Sequence, residues 1–149
     1  MKKLALILAV LAASPFAFAE DAVKLELTGN DQMQYNTKTL EVTTGQKVTL
    51  TFKHTGQLPV VAMGHNVVIL KAGTAVPGFA VKCVTAKDHE YVPQDEESKA
   101  LIIAHTGLVG GGETSEVTFT APEPGEYPYI CTFPGHFTMM QGVLTVKAK

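Results

Sequence analysis

Apolar residues recur at every second position along much of the chain: Val23, Leu25 and Leu27, then Leu40 and Val42, then Val48, Leu50 and Phe52, and later Val117 and Phe119. A period of two belongs to half-buried strands in antiparallel pairs, with one face on a core and the other in water. Segments 66–70, 100–104 and 142–147 are instead short unbroken runs rich in valine, isoleucine and leucine, which predicts strands buried more completely. Turn residues separate these stretches. Thr44-Gly45-Gln46 predicts a hairpin turn, Gly110-Gly111-Gly112 a flexible loop and Pro122-Glu123-Pro124-Gly125 a tight reversal. From about Phe79 to Tyr91 the spacing changes, because Phe79, Ala80, Cys83 and Val84 fall at offsets of three to five. That predicts a short helix in a long connection, with Pro77-Gly78 before it and Pro93 after it. About eight strands and one short helix define an all-β fold, a sandwich of two sheets.

The first residues belong to another pattern. Met1-Lys2-Lys3 gives a positive start, Leu4 to Ala13 is almost wholly apolar, and Ala17-Phe18-Ala19 supplies small residues. This predicts a secretory signal peptide over residues 1–19, cleaved after Ala19. The apolar stretch is too short to span a bilayer comfortably and no other such run follows, so no membrane span is expected. Residues 20–149 then form a single domain of about 130 residues, enough to keep a core without covalent staples. Without Lys2 and Lys3 the chain carries ten lysines and no arginine against 14 acidic residues, a formal charge of −4. Nucleic-acid binding demands a basic footprint, so that class is excluded. Export places cysteines where they tend to pair, and Cys83 and Cys131 are the two in this chain. A bridge between them would remove Cys131 from any other chemistry.

Cys131, His136 and Met140 lie in one ten-residue stretch between the apolar strand Tyr127-Pro128-Tyr129-Ile130 and the run that starts at Gly142. They therefore hang from one loop at an end of the sandwich. Pro134-Gly135 can turn that loop sharply enough for His136 to face Cys131. His65, in Met63-Gly64-His65-Asn66, opens another strand and closes the set from across the loop. A thiolate, two imidazoles and a thioether satisfy both Cu(II) and Cu(I), so little rearrangement is needed when an electron moves. Zinc accepts the same Cys and His ligands but seldom recruits methionine. A nucleophilic Cys131–His136 pair would need an oriented base and an oxyanion hole, neither of which the sequence suggests. Met139 competes with Met140 for the thioether role on sequence alone. The function expected is one-electron transfer by a copper centre; the alternative is a copper carrier or buffer that releases its ion. An oxidising enzyme would need an open coordination position, which this ligand set does not leave.

With these residues in view the chain resembles the azurins, blue copper proteins of the cupredoxin family. The likeness rests on Gly29-Asn30-Asp31-Gln32-Met33-Gln34, His54 with Leu58-Pro59, Met63-Gly64-His65-Asn66, Ile103-Ala104-His105-Thr106, Val117-Thr118-Phe119, and Cys131-Thr132-Phe133-Pro134-Gly135-His136 through Met140. The resemblance implies a cupredoxin-like Greek-key β-sandwich with His65, Cys131 and His136 as trigonal copper ligands. It selects Met140 as the weak axial ligand and adds the Gly64 carbonyl opposite. It implies that Asn66 ties the two ligand loops together, and that Leu58, Ala62, Met63, Phe133, Pro134, Thr138 and Met139, with Met33 at the rim, form an apolar docking patch around His136. It further implies a monomeric periplasmic carrier serving redox proteins such as c-type cytochromes or a periplasmic reductase. Azurins often carry histidines at positions 54 and 105, one near the metal end and able to titrate, the other on the surface; neither is a ligand in the family. His89 reads as a solvated helix-end residue.

Three departures stand out. No cysteine occupies Val23 or the Gly45-Gln46 region, so the family's disulfide, worth about 2–4 kcal/mol, is absent and lower heat resistance is expected. Val67 stands where many azurins have a buried tryptophan. Cys83 is unusual in its position and is expected to be a buried thiol beside Phe79 and Val84.

Overall fold

The computed structural model describes residues 22–149, so the signal peptide expected over residues 1–19 lies outside the described residues. Among the described residues nine strands form two sheets: β1 (Val23–Asn30), β2 (Gln34–Tyr35), β4 (Lys47–His54) and β7 (Thr114–Thr120) in the order β2-β1-β4-β7, and β3 (Thr39–Thr43), β9 (Gln141–Lys147), β8 (Gly125–Ile130), β5 (Val68–Leu70) and β6 (Ile102–His105) in the order β3-β9-β8-β5-β6. The inward residues of the alternating strands, among them Leu27, Leu40, Val48, Leu50, Phe52 and Leu144, make one core between the sheets. Val67, the residue expected to replace a tryptophan, is fully buried in it.

The alternating pattern located these strands but misjudged their pairing. β1 runs parallel to β4, with Val23 opposite Val48, and β3 runs parallel to β9, with Leu40 opposite Leu144. Alternation reports one buried face, and a parallel strand covered on one side satisfies it equally. Thr44-Gly45-Gln46 is accordingly no hairpin: β3 and β4 belong to different sheets, and the turn, with Gly45 at φ 77°, carries the chain across the sandwich. Pro122–Gly125 makes the same kind of crossing, from β7 to β8. The triple glycine is also not a loose loop. A Cβ on Gly110 would lie 2.6 Å from the Val60 nitrogen and one on Gly111 2.6 Å from the Gln57 backbone, so these glycines permit close approach of two chain segments.

Three short helices occur among the described residues, two of them in the long connection. Helix α1 (Val60–Met63) precedes β5; α2 (Val76–Val84) and α3 (Glu96–Lys99) lie between β5 and β6 with a 3-10 turn, Lys87–His89, between them. Pro77 and Gly78 sit inside the first turn of α2 rather than before it, because proline at that position lacks only an N–H that has no helical partner anyway. α2 buries Phe79, Ala80 and Cys83 against a second core cluster with Val68, Leu70, Val92 and Ile130. Cys83 is fully buried there, while Val84 points outward and is exposed. The Asp95 carboxylate caps α3 by accepting the Ser98 N–H at 2.9 Å. No helix among the described residues is long and apolar enough to cross a membrane.

Candidate metal centre

The loop between β8 and β9 is closed at its base by the Cys131 N–H donating to the Met140 carbonyl (3.0 Å). Within it Gly135 takes φ 82°, which glycine adopts freely, and the chain enters a 3-10 turn at His136–Thr138. The His136 N–H donates to the Phe133 carbonyl (3.0 Å) and the Met140 N–H to the His136 carbonyl (2.8 Å), so the loop is fixed by its own backbone. Across from it, His65 exchanges two backbone hydrogen bonds with Val109 at 3.0 and 2.9 Å.

This arrangement brings His65, Cys131 and His136 together, with one potential ligand atom of each lying within 4.8 Å of the others. The two Nδ1 atoms are 3.1 Å apart and each lies 3.8 Å from the Cys131 sulfur. A point equidistant from the three is about 2.1 Å from each, within the range of metal bonds to imidazole and thiolate, roughly 2.0–2.3 Å. The Gly64 carbonyl oxygen is 3.9 Å from the same sulfur. Met140 is fully buried, and its methyl and the His65 ring both approach Gly29. The donors thus fit a single ion without rearrangement, and their softness fits copper.

The surroundings decide which atoms can bind. His65 Nε2 lies 2.8 Å from the Asn30 carbonyl, which only accepts, so the ring proton is there and the Nδ1 lone pair faces the sulfur. His54 stacks behind His65 at 4.3 Å, its rings 15° from parallel. Its Nδ1 accepts the Gly56 N–H (3.0 Å), so Nε2 donates to the Met63 carbonyl (2.9 Å). Burial pushes the Cys131 thiol up to about 12, with the Asn66 and Phe133 N–H groups pulling the other way. Burial pushes His136 down to about 4, with His65 and His54 adding to the effect, and lowers His65 also, against the pull of the Asn30 carbonyl. Both imidazoles are therefore neutral near pH 7, and the thiol alone must lose a proton to bind a metal.

Asn66 joins the two donor segments. Its Oδ1 accepts the Thr132 N–H at 2.9 Å and its Nδ2 donates to the Thr132 hydroxyl at 2.8 Å, while the Tyr35 hydroxyl donates to its carbonyl at 2.6 Å. Of the expected docking residues, Leu58 and Met139 are exposed by 42% and 47%, and Met63, Phe133 and Pro134 are half-buried, all on segments that carry or adjoin the donors. The Asp31 carboxylate accepts the Gln57 and Leu58 N–H groups at 2.8 and 3.4 Å and holds the stretch that presents Leu58. Met139 is exposed whereas Met140 is buried, which separates two neighbours the sequence alone left equal.

Other candidates stay apart. His105 is exposed with Nδ1 turned to the Thr106 carbonyl, His89 is exposed in the 3-10 turn, and Cys83 and Cys131 are both free thiols in different clusters. Sequence reasoning missed Asn30, Thr132 and Asp31 as functional neighbours. Thr132 adjoins Cys131 and was findable; Asn30 acts through a backbone carbonyl, which every residue carries.

A sequence model described as copper binding proteins, plastocyanin/azurin family, matches residues 21–147. Azurin of Alcaligenes faecalis is 41% identical over 129 residues, which is 83% of this chain and 97% of that protein. Azurin of Pseudomonas aeruginosa is 38% identical over 99% of both chains. Among solved structures, auracyanin A, a "blue" copper protein from Chloroflexus aurantiacus, superposes with a TM-score of 0.76 at 38% identity, covering 85% of this chain and 100% of that one.

Proposed function

The chain belongs to the plastocyanin/azurin family of copper binding proteins, and on that premise we infer that it is a blue copper electron carrier whose ion is held by His65, Cys131 and His136, with Met140 and the Gly64 carbonyl as weaker contacts. Bound there, copper supplies one centre that gains and loses a single electron, Cu(II) to Cu(I), with no substrate bond made or broken. The Asn30 carbonyl fixes the His65 tautomer, Asn66 and Thr132 fix the spacing of the donor segments, and burial of Cys131 and His65 excludes water. His136 keeps 5% exposure where Cys131 and His65 keep none, so its ring edge is the route by which electrons enter and leave. The apolar residues Leu58, Met63, Phe133, Pro134 and Met139 form the face on which partners dock, since an exposed apolar patch on a soluble protein marks a contact surface.

The observation that carries this reading is the triangle of two imidazole nitrogens and one sulfur, already at metal-bonding size and cross-tied by hydrogen bonds. Rigid, buried donors favour retention of the ion, which suits a carrier of electrons rather than one that delivers copper. No coordination position is open to a substrate, so the protein is not an enzyme. Export by the N-terminal signal would place it in the periplasm, where as a monomer it would serve redox proteins such as c-type cytochromes or a periplasmic reductase. Copper titration tests the assignment: the oxidised protein turns intensely blue with one equivalent, bleaches reversibly on reduction, and Cys131→Ser abolishes the colour. A colourless oxidised copper form of the wild-type protein overturns it.

A further inference from the structure

Glu90 and Tyr91 are consecutive non-glycine residues in the left-handed region, at φ 56° and 61°. For a bulky residue such as tyrosine this is a true outlier, and strain of this kind persists where the surroundings over-determine it. Here the surroundings are in part the metal centre. The Tyr91 N–H donates to the Ala86 carbonyl (2.9 Å), the Leu108 N–H donates to the Glu90 carboxylate (3.1 Å), and Asn66 Nδ2 donates to the Glu90 carbonyl (3.4 Å). The amide that joins the two donor segments therefore also holds this corner of the helical connection.

The strained corner delivers the Tyr91 ring edge-on to Phe133, with centroids 5.2 Å apart and planes at 67°. Phe133 in turn lies against His136, with centroids 4.7 Å apart at 40°. His136 is the least buried of the three donors and sits on a short 3-10 turn whose end, Thr138, is exposed, so it is the donor in most need of external support. No hydrogen bond from the Tyr91 hydroxyl is seen among the described residues, so the contact is made by the ring.

We propose that Tyr91 is a positioning residue for the copper centre: its ring clamps Phe133 onto His136 and so limits how far that imidazole yields when the ion changes charge. The proposal rests on His136 being a copper ligand. Its test uses the full mature protein with Tyr91→Asn and Tyr91→Phe. Asparagine accepts a left-handed backbone more readily than tyrosine, so it relieves strain while removing the ring. Tyr91→Asn is expected to weaken Cu(II) binding about two- to tenfold, the equivalent of one aromatic pair, to shift the reduction potential, and to alter the intense visible band. Tyr91→Phe is expected to match the wild type in all three. Melting of the metal-free forms separates the site from the scaffold: Tyr91→Asn should fall by no more than loss of one ring contact allows. If Tyr91→Asn keeps wild-type affinity, potential and band, or if Tyr91→Phe is as damaged as Tyr91→Asn, the proposal is overturned. Failure of wild-type protein to bind copper with a blue band would instead overturn the ligand assignment beneath it.

Discussion

Replacing Asn66 by alanine cuts the tie between the two donor segments, together with the weaker bond to the Glu90 carbonyl (3.4 Å). Asn66 is fully buried and Thr132 is 2% exposed, so water cannot take over the lost bonds. The substitution strips partners from the Thr132 N–H and from its hydroxyl; the Tyr35 bond survives because it ends on the residue 66 carbonyl. Each buried polar group left without a partner costs about 1–3 kcal/mol, so two such groups make a loss of about 3 kcal/mol in the metal-free protein. Urea unfolding followed by circular dichroism measures it directly. Because the tie also sets the spacing of Cys131 against His65, copper affinity should fall by about 10–100-fold, the usual effect of removing a group that orients ligands. Thr132→Val is the control. It removes the hydroxyl but keeps the Thr132 N–H to Oδ1 bond, so it should lose only about 1 kcal/mol, and the double mutant should lose less than the sum. An Asn66→Ala protein that loses under about 1 kcal/mol and retains wild-type copper affinity would refute the claim that this amide holds the centre together.

The metal-free protein should lose stability as pH falls from about 6.5 to about 4: burial holds His136 down at about 4, so over that window the unfolded chain takes a proton that the folded chain refuses, and urea midpoints should decline across the range. Copper uptake near pH 7 should release about one proton, from Cys131, whose thiol burial holds at about 12, and an unbuffered titration or a slope of about one in log affinity against pH checks this. Cys83, fully buried with its thiol turned to the Phe79 carbonyl at 3.3 Å and pushed up to about 12, should resist a thiol reagent in the native protein and react at once in denaturant.

The strands were legible because alternating burial is written residue by residue: β1, β3, β4 and β7 all fall on the stretches that alternate. Direction and sheet membership were not, since Val23 opposite Val48 in parallel and Val48 opposite Phe119 in antiparallel bury their side chains in the same way. Gly45 specified a bend but not the sheet that receives the next strand. The triple glycine implies freedom of the backbone, whereas its use here is to let residues 110 and 111 lie against residues 57–60. At the metal end, Cys131, His136 and Met140 share one loop and their spacing was visible. The bond from His65 to the Asn30 carbonyl was invisible, because it depends on where β1 ends relative to a segment 35 residues later.

The ties at this end of the molecule share one property, which is that they are neutral. Asn66 with Thr132, His65 with Asn30, His54 with Met63 and the edge-to-face rings of Tyr91 and Phe133 position the donors without adding a net charge. Two unit charges 4 Å apart at an effective dielectric constant of about 20 interact by roughly 4 kcal/mol, so a charged tie in contact with the donors would hold one oxidation state far more firmly than the other. The ion pairs Lys82–Glu97, Lys99–Glu96 and Lys147–Glu41 are instead formed by well-exposed side chains on elements that carry none of the donors. Asp31 comes nearer, 3.9 Å from His54 Nε2, and pulls weakly on His65, but it touches none of the donors and its carboxylate is occupied by the Gln57 and Leu58 N–H groups. Geometry and electrostatics are thereby separated. Neutral hydrogen bonds set where the donors sit, and the electron's energy is left to the sulfur, the two N–H groups that face it and the exclusion of water around it.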